Sequence, residues 1–235
     1  MAVTNTLRCS DGRSGCTCLL APLNESELGE SIRLFNTIIY RPGETLFEQG
    51  DLISGCYIIC QGKLKLAQRT EHGQRYLIKF LGPGDLLYTD LFSGEVWHSA
   101  YAQVLEETVT RFIERDEFRK LCDRCPSLYS AITQELAREV VWLQRRLTSI
   151  AYAEPRRRLA EVILNLIEKF GTEQEAGWTV DLRLTRRELA EMIGVSERTV
   201  VRHLKRLTAN GWISFERHRI TIPDDGRLRD LAGFS

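Results

Sequence analysis

A chain of 235 residues with 43% hydrophobic and 27% charged side chains suits a globular protein rather than a disordered or membrane one and allows one or two packed cores, since single cores stop growing near ~250 residues and domains commonly run to roughly 100–150. No apolar run approaches the ~20 residues that cross a bilayer, and MAVTNTLRCSDGRSG lacks the apolar stretch of a secretory signal, so a cytoplasmic protein without membrane contact is expected. The formal net charge of zero hides an asymmetry: residues 183 to 219 carry nine Lys/Arg against four Glu, concentrating positive charge as a phosphate-binding surface requires.

In chain order, a cysteine-bearing segment (1–23) comes first, with Cys9, Cys16 and Cys18. Asn24 followed by Glu27 has helix-start spacing. From Ser31 to about Ile113, short β-rich runs such as KLKLA (63–67) and RYLIKFL (75–81) alternate with turns at Arg41-Pro42-Gly43, His72-Gly73 and Gly82-Pro83-Gly84-Asp85. That pattern predicts a sandwich or barrel over 24–125. Pro126 then opens a long helix (126–153) in which Leu136, Val140, Leu143, Leu147 and Ile150 step by four, three, four and three. Such a heptad seam faces a partner helix; the alternative is a helix lying on its own barrel. Glu154-Pro155 interrupts the helix and marks the start of a second domain, 154–235.

Within that domain, TRRELAEMIGVSERTVVRHLKRLTANGWISFERHRITI (185–222) is the most informative stretch. Thr185 and Glu188 have capping-box spacing, Leu189, Met192 and Ile193 form a buried stripe, and Gly194 stands at a turn. Ser196 caps a second helix with Val200, Leu204 and Leu207 inward and Arg198, Arg202 and Lys205 outward. Two short helices joined by a Gly turn make a helix-turn-helix whose second helix enters the DNA major groove N-terminus first. Ser196, Arg198, Thr199, Arg202 and Lys205 are the expected DNA contacts. Asn210-Gly211 leads into two strands around a basic tip, which adds Arg217 as a wing contact. An ordinary solvated basic face is the bland alternative, and it accounts for neither the caps nor the wing.

RPGETLFEQGD (41–51), the Gly62 turn, LGPGDLL (81–87), the long helix and IGVSERTVVRHLKRL (193–207) together resemble the Crp/Fnr superfamily over nearly the whole chain. The resemblance implies an α+β architecture: an N-terminal cyclic-nucleotide-binding-like β-barrel (jelly roll), a long dimerisation helix and a C-terminal winged helix-turn-helix. It also implies a homodimer on a palindromic double-stranded DNA site, acting on RNA polymerase, with an effector felt by the barrel.

Cyclic-AMP-binding members carry a Gly-Glu-Leu turn and an Arg-Ser pair, whereas Tyr88-Thr89-Asp90 and His98-Ser99 stand there in this chain. Both charged anchors are missing, so cyclic AMP is not expected, and the stretch is similar to that of the Fnr branch. Oxygen sensors of that branch hold an iron-sulfur cluster (4Fe-4S) through N-terminal cysteines. Without a gap, Cys9 and Cys18 fall on the first and third ligand positions, while the middle one falls on Gly12 and the barrel ligand on Arg111. The candidate metal ligands are Cys9, a displaced Cys16, Cys18 and Cys122, with Cys125 or the strand pair Cys56 and Cys60 as the alternative where the fold brings them close. Cys56 and Cys60 share a strand face with Ile58 and read as core residues. A thiol-disulfide switch, an effector-free regulator and a haem held by His98 remain as alternatives. The branch also has Glu at the position of Arg198 and Ser at that of Val201, so a different half-site is expected, although Arg202 matches. No nucleophile-base pair is visible and no catalytic segment follows the barrel, so the chain does not read as an enzyme.

Overall fold

The computed structural model describes residues 20, 23, 31, 33–87, 94–175, 177–216 and 219–233. The helix expected from Asn24 and Glu27 lies outside these residues, as do Cys9, Cys16, Cys18, Tyr88, Thr89, Asp90 and Arg217. The chain separates into two compact units that part between Val141 and Trp142.

In the first unit, strands β1 (Asn36–Tyr40), β2 (Thr45–Phe47), β3 (Gly55–Gln61), β4 (Leu64–Arg69), β5 (Arg75–Leu81), β6 (Leu86–Leu87), β7 (Tyr101–Val104) and β8 (Thr108–Glu114) form two antiparallel sheets. Their orders are β1-β8-β3-β6 and β2-β7-β4-β5. The two runs singled out in the sequence become β4 and β5, paired from Leu64 opposite Leu81 to Arg69 opposite Arg75.

Strand β3 explains why the sheets stack. Its side chains alternate, as a pleated strand requires, but both faces are apolar. Tyr57 and Ile59 join Phe47, Leu64, Leu81, Ala102 and Val104 in a core drawn from both sheets. Cys56 and Ile58 point the other way, into a second core with Ile113, Phe118, Leu121, Leu128 and Ile132. That second core is closed by helices α1 (Arg115–Arg124) and the first turns of α2 (Pro126–Tyr152). A continuous apolar run, rather than a half-polar alternation, is the signature of a strand covered on both sides.

The second unit holds the last turns of α2, helix α3 (Pro155–Phe170), the hairpin β9 (Gly171–Gln174) and β10 (Gly177–Val180), helices α4 (Arg186–Ile193) and α5 (Glu197–Ala209), strands β11 (Ser214–Glu216) and β12 (Arg219–Ile222), and helix α6 (Gly226–Ala232). Pro155 takes the first position of α3, where its missing N–H costs nothing. Leu159, Ile163, Leu166 and Ile167 of α3 are buried, and the helix packs against α4, α5, α6 and the β9–β10 hairpin. The sheet runs β11-β12-β10-β9, so the expected two-stranded wing is half of a four-stranded sheet.

Gly62 turns β3 into β4 with φ at 88°. A Cβ there would sit 2.4 Å from the Thr108 hydroxyl oxygen and 2.5 Å from the Glu107 carbonyl oxygen. Gly62→Ala is expected to lower stability by roughly 1–3 kcal/mol, the cost of a strained backbone position. Urea unfolding should show this as a lower midpoint with an unchanged slope.

Candidate nucleic-acid interface

The two helices of the helix-turn-helix start on side-chain caps that their own sequence supplies. Thr185 caps α4: its hydroxyl accepts from the Glu188 backbone N–H at 3.1 Å, and its own N–H donates to the Glu188 carboxylate at 2.9 Å. The Thr185 hydroxyl donates to the same carboxylate at 2.8 Å, so the buried Glu188 is held by hydrogen bonds on the oxygen it turns inward. Gly194 ends α4 in the left-handed region, φ 65° and ψ 45°, and its N–H closes onto the Ala190 carbonyl. Ser196 then starts α5 by accepting from the Thr199 N–H at 3.3 Å. Val200, Leu204 and Leu207 are buried beneath α5, and Leu189, Met192 and Ile193 beneath α4.

What α5 presents outward is cationic. Arg198, Arg202 and Lys205 are exposed at helical spacing, and Thr199, with its hydroxyl 3.0 Å from that of Ser196, completes a polar rim at the helix start. Arg206 and Arg219 are also exposed. The sequence reading did not assign His203, which is buried, with Nε2 lacking a hydrogen-bond partner. Burial lowers its pKa first, then Arg202, Arg206 and Arg156, against an opposing effect of Glu154. Burial and the charges of Arg202, Arg206 and Arg156, the last at the start of α3, thus favour the neutral imidazole. The spacing 200, 203, 204, 207 puts His203 on the buried stripe and could have revealed it.

The heptad positions divide along α2. Leu136 is half-buried and packs against the outer barrel core. Val140, Leu143, Leu147 and Ile150 are 51%, 47%, 69% and 39% exposed, so from Val140 onward the stripe leaves its own chain uncovered. A row of four large aliphatic side chains in water is the mark of a surface that another one buries.

The sequence profile of the cyclic nucleotide-binding domain matches residues 37–125, and that of the Crp-like helix-turn-helix domain matches residues 157–231. The chain belongs to the Crp/Fnr family. It is similar to the fumarate and nitrate reduction regulatory protein of Escherichia coli, 28% identical over 232 residues that cover 97% of this chain and 91% of that protein. It is also similar to a CRP-like cAMP-activated global transcriptional regulator of Mycobacterium tuberculosis, 27% identical over 81% of this chain and 85% of that one. Among solved structures, FixK2 from Bradyrhizobium japonicum shares the fold with a TM-score of 0.74 at 19% identity, covering 84% of this chain and 96% of that chain. The protein is thus a DNA-binding transcription regulator of the Crp/Fnr type, and regulators of this family act as dimers.

In this Crp/Fnr chain the described thiols are packed. Cys56 and Cys122 are fully enclosed and Cys125 nearly so, all in the outer barrel core. Burial, then Asp123 and Cys125, push the Cys122 thiol up to about 11, and burial likewise raises that of Cys56. Cys60 is half-buried beside Arg111, whose guanidinium pulls its thiol down against a larger upward push from burial. His98 is buried and stacks on Phe47, with ring centroids 3.7 Å apart. Its backbone N–H donates to the Asp51 carbonyl and its backbone carbonyl accepts from the Gly50 N–H. Among the described residues, no helix is long and apolar enough to cross a membrane, and no group of three His, Cys, Asp or Glu is placed to hold a metal ion.

Arg202→Ala is expected to weaken specific DNA binding by about 1–3 kcal/mol and to relax base preference at one position per half-site; gel-shift titration across base-substituted sites measures both. Leu147→Glu should convert dimers to monomers in sedimentation equilibrium, because a carboxylate would be buried in an apolar seam.

Proposed function

We propose that two copies of this regulator join along Val140, Leu143, Leu147 and Ile150 and read a palindromic double-stranded DNA site. One α5 helix enters each half-site, and RNA polymerase is the downstream partner in the cytoplasm. The observation that carries this reading is the pairing of an uncovered aliphatic stripe on α2 with a Ser196-capped α5 that turns Arg198, Arg202 and Lys205 outward. A two-fold axis along the stripe presents two such helices, which is what a palindrome matches. Arg202 and Arg198 can each donate two parallel bonds to guanine, while Lys205, Arg217 and the Ser196–Thr199 rim suit phosphate oxygens.

The signal is a change of oxygen, nitric oxide or redox state acting on Cys9, Cys16 and Cys18. A relative named for fumarate and nitrate reduction that matches 97% of the chain supports that reading, as does the replacement of both cyclic-AMP anchors by Tyr88-Thr89-Asp90 and His98-Ser99. An iron-sulfur cluster normally takes four thiolates, and the described thiols fit the fourth place poorly. Cys122 and Cys125 are enclosed in an apolar core, and Cys122 is held as a thiol. That mismatch favours a second reading, in which the three N-terminal cysteines respond by thiol-disulfide exchange and need no fourth partner.

Protein purified without oxygen decides between them. Broad absorbance near ~400 nm with iron and sulfide in matching amounts indicates a cluster, whereas a colourless protein that loses free thiols on oxidation indicates the exchange. Cys9→Ala should abolish the response of DNA binding to oxidant while leaving the fold intact by circular dichroism. A response that survives replacement of all three cysteines would overturn the redox assignment.

A further inference from the structure

We infer that Arg146 is a positioning residue for DNA recognition, fixing the reading helices to the segment of α2 that carries the dimer seam. This rests on the dimeric reading proposed above.

Residues Trp142–Tyr152 of α2 belong to the C-terminal unit, and side chains of this segment bond to it. The Arg146 Nη2 donates to the Met192 carbonyl at 2.9 Å, a half-buried bond between residues 46 apart in sequence. Its guanidinium carbon lies 5.1 Å from the centroid of the Trp142 ring, so an aromatic face holds the fork in place. Met192 sits in the last turn of α4, where carbonyls have no intrahelical partner and the helix dipole is negative. A cation stabilises that end, and the next two residues lead to Gly194 and so into α5. Three residues on from Arg146, the Ser149 hydroxyl donates to the Glu161 carboxylate of α3, whose other oxygen accepts from Arg157 Nε at 3.1 Å.

Trp142, Arg146 and Ser149 follow one another at i, i+4 and i+7, a stripe about 100° around the helix from Leu143, Leu147 and Ile150. One stiff segment thus carries the seam on one face and grips the DNA-binding unit on the next. Ser149 reaches only the scaffold helix α3, whereas Arg146 reaches the helix-turn-helix itself. In a two-fold dimer, the two reading helices must stand about 34 Å apart, one turn of DNA. The Arg146 bond removes a freedom that binding would otherwise have to freeze.

The test compares wild type with Arg146→Gln and Arg146→Lys. It measures sedimentation, amide hydrogen exchange without DNA, and affinity for operators whose half-sites are moved one or two base pairs closer or farther apart. Arg146→Gln should remain dimeric and keep its half-site base preference. It should bind the preferred spacing about 10-fold more weakly, as expected for lost preorganisation, and discriminate several-fold less between spacings. Exchange should quicken at 146–152 and 192–196 while 159–167 stays protected. Arg146→Lys, which keeps a cation at the α4 terminus, should restore part of the spacing discrimination. Unchanged exchange and an unchanged spacing profile would overturn the proposal, and so would a uniform rise in exchange through α3, α4 and α5. A wild type that shows no spacing preference would instead sink the dimeric reading, and the exchange data would still decide whether Arg146 holds the α4 terminus.

Discussion

The backbone hydrogen-bonding of α2, Pro126 to Tyr152, is the constraint on which the remaining features depend, because within each compact unit it fixes which of its side chains share a face. Leu128 and Ile132 close the outer barrel core, Val140, Leu143, Leu147 and Ile150 form the uncovered stripe, and Arg146 and Ser149 hold α4 and α3. Within either segment, a shift of one residue would carry every side chain of that segment about 100° around the helix. Proline placement matches this economy: Pro126 opens α2 and Pro155 opens α3, so neither interrupts a hydrogen-bonded turn.

The helix-turn-helix gains its rigidity from neighbouring groups in the chain, and for that reason it was legible in the sequence. A capping box spans four residues, the Gly194 turn follows immediately, and Ser196 bonds to Thr199; each needs only local spacing to be recognised. The barrel strands were legible for a similar reason, as turns at Gly62 and His72-Gly73 bracket short apolar runs. What escaped depends on distance in the chain or on context. The β9–β10 hairpin is largely polar along GTEQ and exists because Trp178 and Val180 pair with Ile222 and Ile220. The Arg146–Met192 bond joins residues 46 apart and leaves no periodic trace. Arg146 instead reads as one more flanking charge of a coiled-coil seam.

Charge distribution links fold to binding. The formal charge of the chain is zero, while residues 183–219, which include the helix-turn-helix, carry an excess of positive charge. The neutral, buried His203 matters in this setting. Protonating it would add a fourth positive charge beside Arg202, Arg206 and Arg156, and those same charges, together with burial, oppose the proton. Burial and the neighbouring guanidinium charges thus both favour the neutral imidazole.

Cysteine usage shows why spacing alone separates ligands from core residues poorly. Cys122 and Cys125 have the C-x2-C spacing of a metal or redox pair, yet on α1 and at its end that spacing also directs both thiols to one helix face, here the face that covers β3. Burial then decides their chemistry. A thiol pushed up to about 11 is almost wholly protonated at neutral pH, and it is the thiolate that attacks disulfides, meets oxidants and binds metals. Cys56, Cys122 and Cys125 are thus protected by the same packing that builds the outer core, and Cys60 is held back by burial despite Arg111. The packing that builds the outer core thus leaves these described thiols poor nucleophiles and poor metal ligands.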